Sequence, residues 1–442
     1  MARSMEKRES RQATALATVE DAFGKLRSNS PPWLKPLQEK AFESFLGMGF
    51  PLSNDEDWKY TNLTKFAERS AEYLHSQSSR DDGGIIRSLI DDLPEIENEI
   101  RIVFVNGLFR ADLSTATEPE DGIRLLPYST ADSTTAKQIL QCQPADQSAM
   151  IAFNTAFMAD GLAIHIADSK KCDAPIHVLF ASDGQPAAAQ PRLSIDVGRN
   201  ADALVLQHHI GTGKGLVNAV TSINCAEHAR IFYVRLQNES TQSMHVANQV
   251  VRVAADGHFD SISIDFGSQL ARNDLDVDLH GERAIANLHG LFMADEGRHV
   301  DNHLRVDHHA INTTSQENYR GILNDEARGV FNGKIIVHTG ADGTDAQMNN
   351  RNLLLSGKSE VDTKPELEIY TDDVKCAHGS TTGQLDINSM FYLRARGIPE
   401  ITARAMLVTA FAQEIIDHVR SRAPSLADYL GNLMNRQLPS NT

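Results

Sequence analysis

The stretch "LSIDVGRNAD", Leu193 to Asp202, decides how the chain is read. Leu193, Ile195 and Val197 alternate with polar residues, the period of two expected of a strand with one buried face. A short polar turn containing Gly198 and Asn200 follows at once. The same unit recurs. "LAIHI" (162–166), "IHVLF" (176–180), "IFYVRL" (231–236), "ISIDF" (262–266) and "LDVDL" (275–279) all alternate, and helical periodicity is nearly absent from Gly161 to Tyr370. The turns "GRNAD", "AEHAR", "ADGHFD", "HGERA", "NDEARG" and "SGKSEVD" punctuate the strands, at first roughly 26 to 29 residues apart and then more loosely.

An approximate repeat of that length predicts the stacked coils of a β-solenoid. Short strands between polar turns are also compatible with a β-sandwich. A solenoid of this length explains how some two hundred residues of strand share one narrow core.

The flanks read differently. Leu16, Val19, Phe23 and Leu26 form one apolar helical stripe, and Leu37, Ala41, Phe45 and Met48 form another that stops at Gly49. "SPPWLKP" (30–36) separates them. "NDEDWKYTNL" (54–63) reads as a loop anchored by Trp58 and Tyr60. "RIVFVNGLF" (101–109) is a hairpin turning at Asn106-Gly107, because a type I′ turn needs positive φ at both central residues. A short helix is expected around Ala149–Met158. After Asp386, Ile401, Ala405, Val408, Ala412, Ile415 and Val419 predict a long helix that begins near Pro399, with Gly397 ending the one before it. Leu426, Leu430 and Leu433 suggest a last short helix. The expected division is an N-terminal helical region with a hairpin (1–160), a β core (161–385) and a C-terminal helical region (386–442).

The formal net charge of -17 argues against a nucleic-acid or anionic-membrane partner. No apolar run approaches the ~20 residues that span a bilayer. The N-terminus has no apolar leader core, and the cytoplasm is the expected location. Cys142, Cys172, Cys225 and Cys376 are scattered without a CxxC pair, which suits a reducing compartment.

The segment "TDDVKCAHGSTTGQLD" (371–386) sets Cys376 and His378 two residues apart. On a strand both point to one side. Thiolate with imidazole suits iron or zinc, but two ligands are half a site, and the rest would have to come from another chain. A Cys–His nucleophile pair and a purely structural pair are the other readings. His280, His289, His299, His303, His308 and His309 gather in one region without a ligand signature. On a solenoid they are expected on different coils and faces, as structural or exposed residues. There is no Walker A motif, no GxGxxG after a strand and no GxSxG elbow. Asp276 and Asp278, the acids a β-helix hydrolase or lyase would need, share one face with no basic partner expected nearby.

Three longer segments carry a family resemblance: "YRGILNDEARGVFNGKIIVH" (319–338), the run from "TDAQMNNRN" through "CAHGSTTGQLD" (344–386), and "FYLRARGIP" (391–399). Together with "NDEDWKYTNL" and "RIVFVNGLF" they make the chain resemble the SufB/SufD family of iron–sulfur cluster assembly proteins. "HGSTTGQLD" is similar to the family's D branch, because the B branch typically carries an acidic residue where Gly379 stands. The resemblance implies a right-handed parallel β-helix with helical ends and a non-catalytic scaffold role. It implies a complex with SufB and the ATPase SufC, and a transient cluster at the SufB interface near His378, with no cofactor held stably by the isolated chain.

The last coil's open edge invites another strand, so with the partners that the resemblance implies, Leu367, Ile369 and Tyr370 on the last strands are expected to pair with SufB, or with a second copy in a homodimer. Arg396, Gly397, Ile398 and Pro399, with Met406, Leu407 and Phe411 off the core-facing stripe, are expected to dock the ATPase. A β-helix carbohydrate-active enzyme and a stand-alone metal-binding protein are the competing readings.

Overall fold

The computed structural model describes residues 14–25, 30–74, 84–93, 95–115, 121–132, 148–172 and 174–437. Leu26 and Cys142 lie outside them. The chain folds as a parallel β-solenoid built from two ten-stranded sheets. One sheet stacks Ile100–Val105, Ile176–Ser182, Asp202–Gly211, Arg230–Glu239, His258–Asp265, Ile285–Ala294, Thr314–Leu323, Thr344–Leu354 and Val374–Gly383. The other stacks Leu162–Ile166, Arg192–Val197, Leu216–Cys225, Met244–Val253, Leu270–Leu279, His299–His308, Arg328–Val337 and Glu360–Ile369. Successive strands alternate between the sheets, so each coil adds one rung to both.

The turn spacing follows from this winding. Asn200, His228, Asp256, Arg283 and Asn312 all have positive φ and occupy one corner of consecutive coils, 28, 28, 27 and 29 residues apart. "NDEARG" and "SGKSEVD" belong to the opposite corner, between Thr314–Leu323 and Arg328–Val337 and between Thr344–Leu354 and Glu360–Ile369. The loosened period seen in the sequence is the overlay of two regular ones.

Alternation sorts the side chains. Val205, Tyr233, Phe259 and Leu288 point into the lumen with Ile223, Val251, Val277, Val306 and Ile335 opposite. The outer faces are covered by the helices. Glu400–Arg420 and Pro424–Gln437 bury Leu206, Val234, Ile264 and Leu291 beneath Val408, Ala412, Ile415 and Leu430. The N-terminal helices, including Lys35–Met48, Thr64–Tyr73 and Ala149–Phe157, cover Leu216, Met244, Val246 and Leu270. Phe45, Phe153 and Phe157 are all but fully buried there, each contributing about 1.5–3 kcal/mol by removal from water. The helices thus flank the solenoid rather than closing its ends.

The ends differ. At the N-terminal end antiparallel strands blunt the sheets: Leu108–Phe109 on Ile100–Val105, and Ile123–Pro127 on Leu162–Ile166. Asn106 and Gly107, with φ of 50° and 84°, make the hairpin turn read from the sequence. That hairpin lies N-terminal to residue 161 yet is part of the solenoid, since Ile100–Val105 pairs in parallel with Ile176–Ser182. At the C-terminal end Glu360–Ile369 and Val374–Gly383 are the last strands of their sheets, with no further strand beyond either among the described residues.

Candidate functional site

Val374–Gly383 carries the Cys–His segment. It pairs in parallel with Thr344–Leu354, placing Cys376 beside Ala346 and His378 beside Met348. Ala346 and Met348 are buried in the lumen, so Cys376, His378 and Ser380 also face inward. Among the described residues no coil lies above them. Val374 and Cys376 still pack on the core, whereas His378 is exposed at the mouth. Thr363 and Ser380 close one side of that mouth through a 2.9 Å hydroxyl contact. Burial, with Asp345 nearby, pushes the Cys376 thiol up from its ordinary range. A thiol held protonated is a poor nucleophile, which weighs against a Cys–His nucleophilic pair. What remains is one exposed imidazole and one deeper sulfur, both opening on the free end.

The free edge itself is shaped for pairing. Leu367 packs on the core, Ile369 is 41% exposed and Tyr370 58% exposed. The Glu360 and Tyr370 N–H groups donate to Ala327 and Val337 carbonyls on the preceding coil. Parallel pairing alternates, so the N–H of Ile369 turns to the free edge. Pro365 sits at the same parity, where its missing N–H costs no bond within the chain.

The helix Ile387–Ala395 starts on Asp386, whose carboxylate accepts from the Asn388 and Ser389 N–H groups. It ends in a Schellman turn: Ile398 N–H donates to Leu393 and Gly397 N–H to Arg394, with Gly397 at φ 86°. None of its residues is buried. Ile387 (81% exposed), Phe391 (73%) and Tyr392 (57%) are exposed apolar side chains, as are Ile401 and Met406 on the next helix. Ile401 departs from the expected core stripe: it is 55% exposed, and burial on that helix starts only at Ala403 and Val408. The helix's first turn keeps the apolar face but not the cover. Leu407 and Phe411 are half-buried and line a cavity of about 320 Å³ with Arg351, Thr382 and Leu385. The Arg320 guanidinium lies 5.1 Å from the Phe411 ring centre and also donates to the Phe411 carbonyl and to Glu414. The three arginines of the junction have partners within the chain. Arg394 pairs with Glu400 at 3.2 Å, Arg396 lies over the Tyr392 ring, and Arg404 donates to the Leu355 carbonyl.

The histidine cluster divides. His289 stacks on His418 beneath the long C-terminal helix, with ring centres 3.9 Å apart. His299 contacts Thr61. His308 is inside the lumen, bonded to Thr313 and Ser315. His280 and His309, expected on different faces, instead occupy the same corner of consecutive coils, because the residues before them, Leu279 and His308, are register partners. Asp276 and Asp278 also depart from expectation. Asp276 is the register partner of Arg305, and Asp278 lies 3.9 Å from Arg252. Trp58 is an anchor, as read: the Arg272 guanidinium lies 3.7 Å from its ring centre. Among the described residues no helix is long and apolar enough to cross a membrane.

Residues 179–411 match the family described as SUF system FeS cluster assembly, SufBD core domain, and residues 16–178 match the SufBD protein N-terminal region. The iron–sulfur cluster assembly protein SufD of Escherichia coli (strain K12) is 30% identical over 392 residues, covering 87% of this chain and 89% of that protein. An iron–sulfur cluster assembly SufBD family protein of Synechocystis sp. is 29% identical, covering 84% of each chain. SufD of Bacillus subtilis (strain 168) is 22% identical over 409 residues, covering 89% of this chain and 92% of that protein. The chain belongs to the SufBD family of iron–sulfur cluster assembly proteins, as a homologue of SufD.

Proposed function

We propose that this chain is a non-catalytic scaffold of the SUF assembly complex, joined end to end with SufB and driven by the ATPase SufC. The observation that carries the reading is the asymmetry of the solenoid's ends. The N-terminal end is blunted by antiparallel strands, whereas the C-terminal end is open, with His378 at the mouth of the lumen beside two strands whose outer edges are unpaired among the described residues. A bare parallel edge is an invitation to another strand. A partner solenoid docked there sets its own ligands opposite His378. The iron–sulfur cluster is then cargo under construction, held by ligands from both chains, and this chain alone holds no cluster stably. Imidazole with a nearby sulfur suits iron. SufC is assigned to the helices that expose Ile387, Phe391, Tyr392, Ile401 and Met406, large apolar side chains that a free surface leaves uncovered. The location is the cytoplasm.

Co-expression with SufB and SufC tests the reading. A tagged form of this chain is expected to retain both partners through purification, and the complex is expected to accumulate a cluster. A chain that purifies alone, folded and in the presence of both partners, overturns it.

A further inference from the structure

Three histidines form a ladder at one corner of the solenoid, its last rung, His338, one coil below Tyr370. Leu279 pairs with His308 and His308 with Val337, so the residues that follow them, His280, His309 and His338, stack on consecutive coils. The His309 and His338 rings lie nearly parallel, inclined by 10° with centres 4.2 Å apart. Carboxylates from the strand ends reach up the ladder. Asp307 Oδ1 is 2.7 Å from His338 Nε2, and Asp278 Oδ1 is 3.6 Å from His309 Nε2. One donor atom from each of Asp307, His309 and His338 lies within 4.8 Å of the other two.

We propose that Asp307, His309 and His338 form a surface site for a divalent first-row transition-metal ion. Two imidazoles and a carboxylate are the donor set that zinc and its neighbours prefer over calcium or magnesium. Bonds of ~2.0–2.2 Å require donors roughly 3.4 Å apart, so the three must close by at most about 1.4 Å. His309 is exposed and His338 half-buried, which leaves their rings free to turn and the ion a direct path from solvent. Asp307 is prepared for the role. Burial raises its carboxyl, but Arg305, through Nε at 2.6 Å and Nη2 at 3.1 Å, together with His338, outweighs burial and holds it below the usual carboxylate range. Asp278, 3.6 Å from His309 Nε2, adds a second negative charge beside the site. Binding through both groups replaces the hydrogen bond between His338 Nε2 and Asp307 Oδ1 with bonds from each to the ion. The ordinary alternative is a ladder of stacked, ion-paired side chains that only trims the corner.

The test is titration of the purified full-length chain with Zn²⁺ by calorimetry, and with Co²⁺ by visible absorption. One equivalent is expected to bind. The pair His309→Ala and His338→Ala is expected to lower affinity at least about tenfold while leaving the circular dichroism unchanged. The pair Cys376→Ala and His378→Ala, which removes the mouth ligands, is expected to bind like the parent. The proposal is overturned if the parent binds no ion, if the double-histidine variant binds unchanged, or if binding disappears with the mouth ligands. None of these outcomes depends on the scaffold reading.

Discussion

Met348 and His378 are register partners on adjacent coils, yet Met348 is 3% exposed while His378 stands open to solvent. The core ends between them. A side chain facing inward on a coil with nothing above it packs little and is free to ligate. His378→Ala is therefore expected to change stability by no more than about 0.5 kcal/mol. In the assembled complex it is expected to impair cluster build-up, read from iron and sulfide content and the cluster's absorption. Cys376, half-buried with a raised thiol, is expected to matter less: Cys376→Ala should cost about 1 kcal/mol in stability and leave most of the cluster yield. Normal cluster build-up on the His378 variant would make that residue merely structural.

Ile369→Pro is a clean probe of the edge, because the N–H it removes faces away from the chain's own preceding coil. Folding is expected to survive, as the natural Pro365 at the same parity already shows a proline to be tolerated there. Binding to SufB, or self-association of the isolated chain, is expected to weaken at least about tenfold if the edge pairs strand to strand. Sedimentation and pull-down read the two effects separately. A variant that keeps parental affinity would move the interface off this edge.

Truncation of the C-terminal helices would uncover Leu206, Val234, Ile264 and Leu291 and confound docking with unfolding. Point changes on the exposed helix avoid this. Phe391→Ala and Ile387→Ala remove side chains that contribute nothing to the buried core. Each is expected to weaken SufC capture about ten- to a hundredfold, the range for an interface anchor, without shifting the melting midpoint. Phe411→Ala is expected to do the reverse, lowering stability through lost packing against Arg320 and the outer core.

Much of this architecture was legible in the residues, and the failures share a cause. Period-two alternation and recurring polar turns identify the solenoid because both are local. The Asn106-Gly107 hairpin and the Gly397 helix end are equally local, each resting on one residue's φ. What alternation cannot give is registration between coils. The stacking of His280, His309 and His338 depends on a 29-residue offset that is hidden while turns from two corners are counted as one series. Ile401 was misplaced for a related reason. A helical stripe predicts which face is apolar, but the extent of the sheet beneath it is set elsewhere in the chain. Pro365 is a further local signal. A proline within a β run marks an edge strand, which is where Glu360–Ile369 lies.

Glu317 gives a prediction that depends on the lumen alone. It faces inward between Leu288 and Met348, is 2% exposed, and neither carboxyl oxygen has a hydrogen-bond partner among the described residues. Burial pushes its carboxyl up to about 8. The folded chain therefore keeps this proton between about pH 4.5 and 8, where the unfolded chain has lost it. With more protons bound in the folded state, stability falls as pH rises through that window and levels off above it. Glu317→Gln removes the titration but keeps the shape. Its melting midpoint relative to the parent is expected to rise from pH 5 to pH 8, by an amount on the order of a few kcal/mol of stability at the upper end. Thermal melts of both chains across that range provide the check. Parallel profiles would mean that Glu317 is ionised in the folded lumen, with a partner or solvent reaching it from the open end.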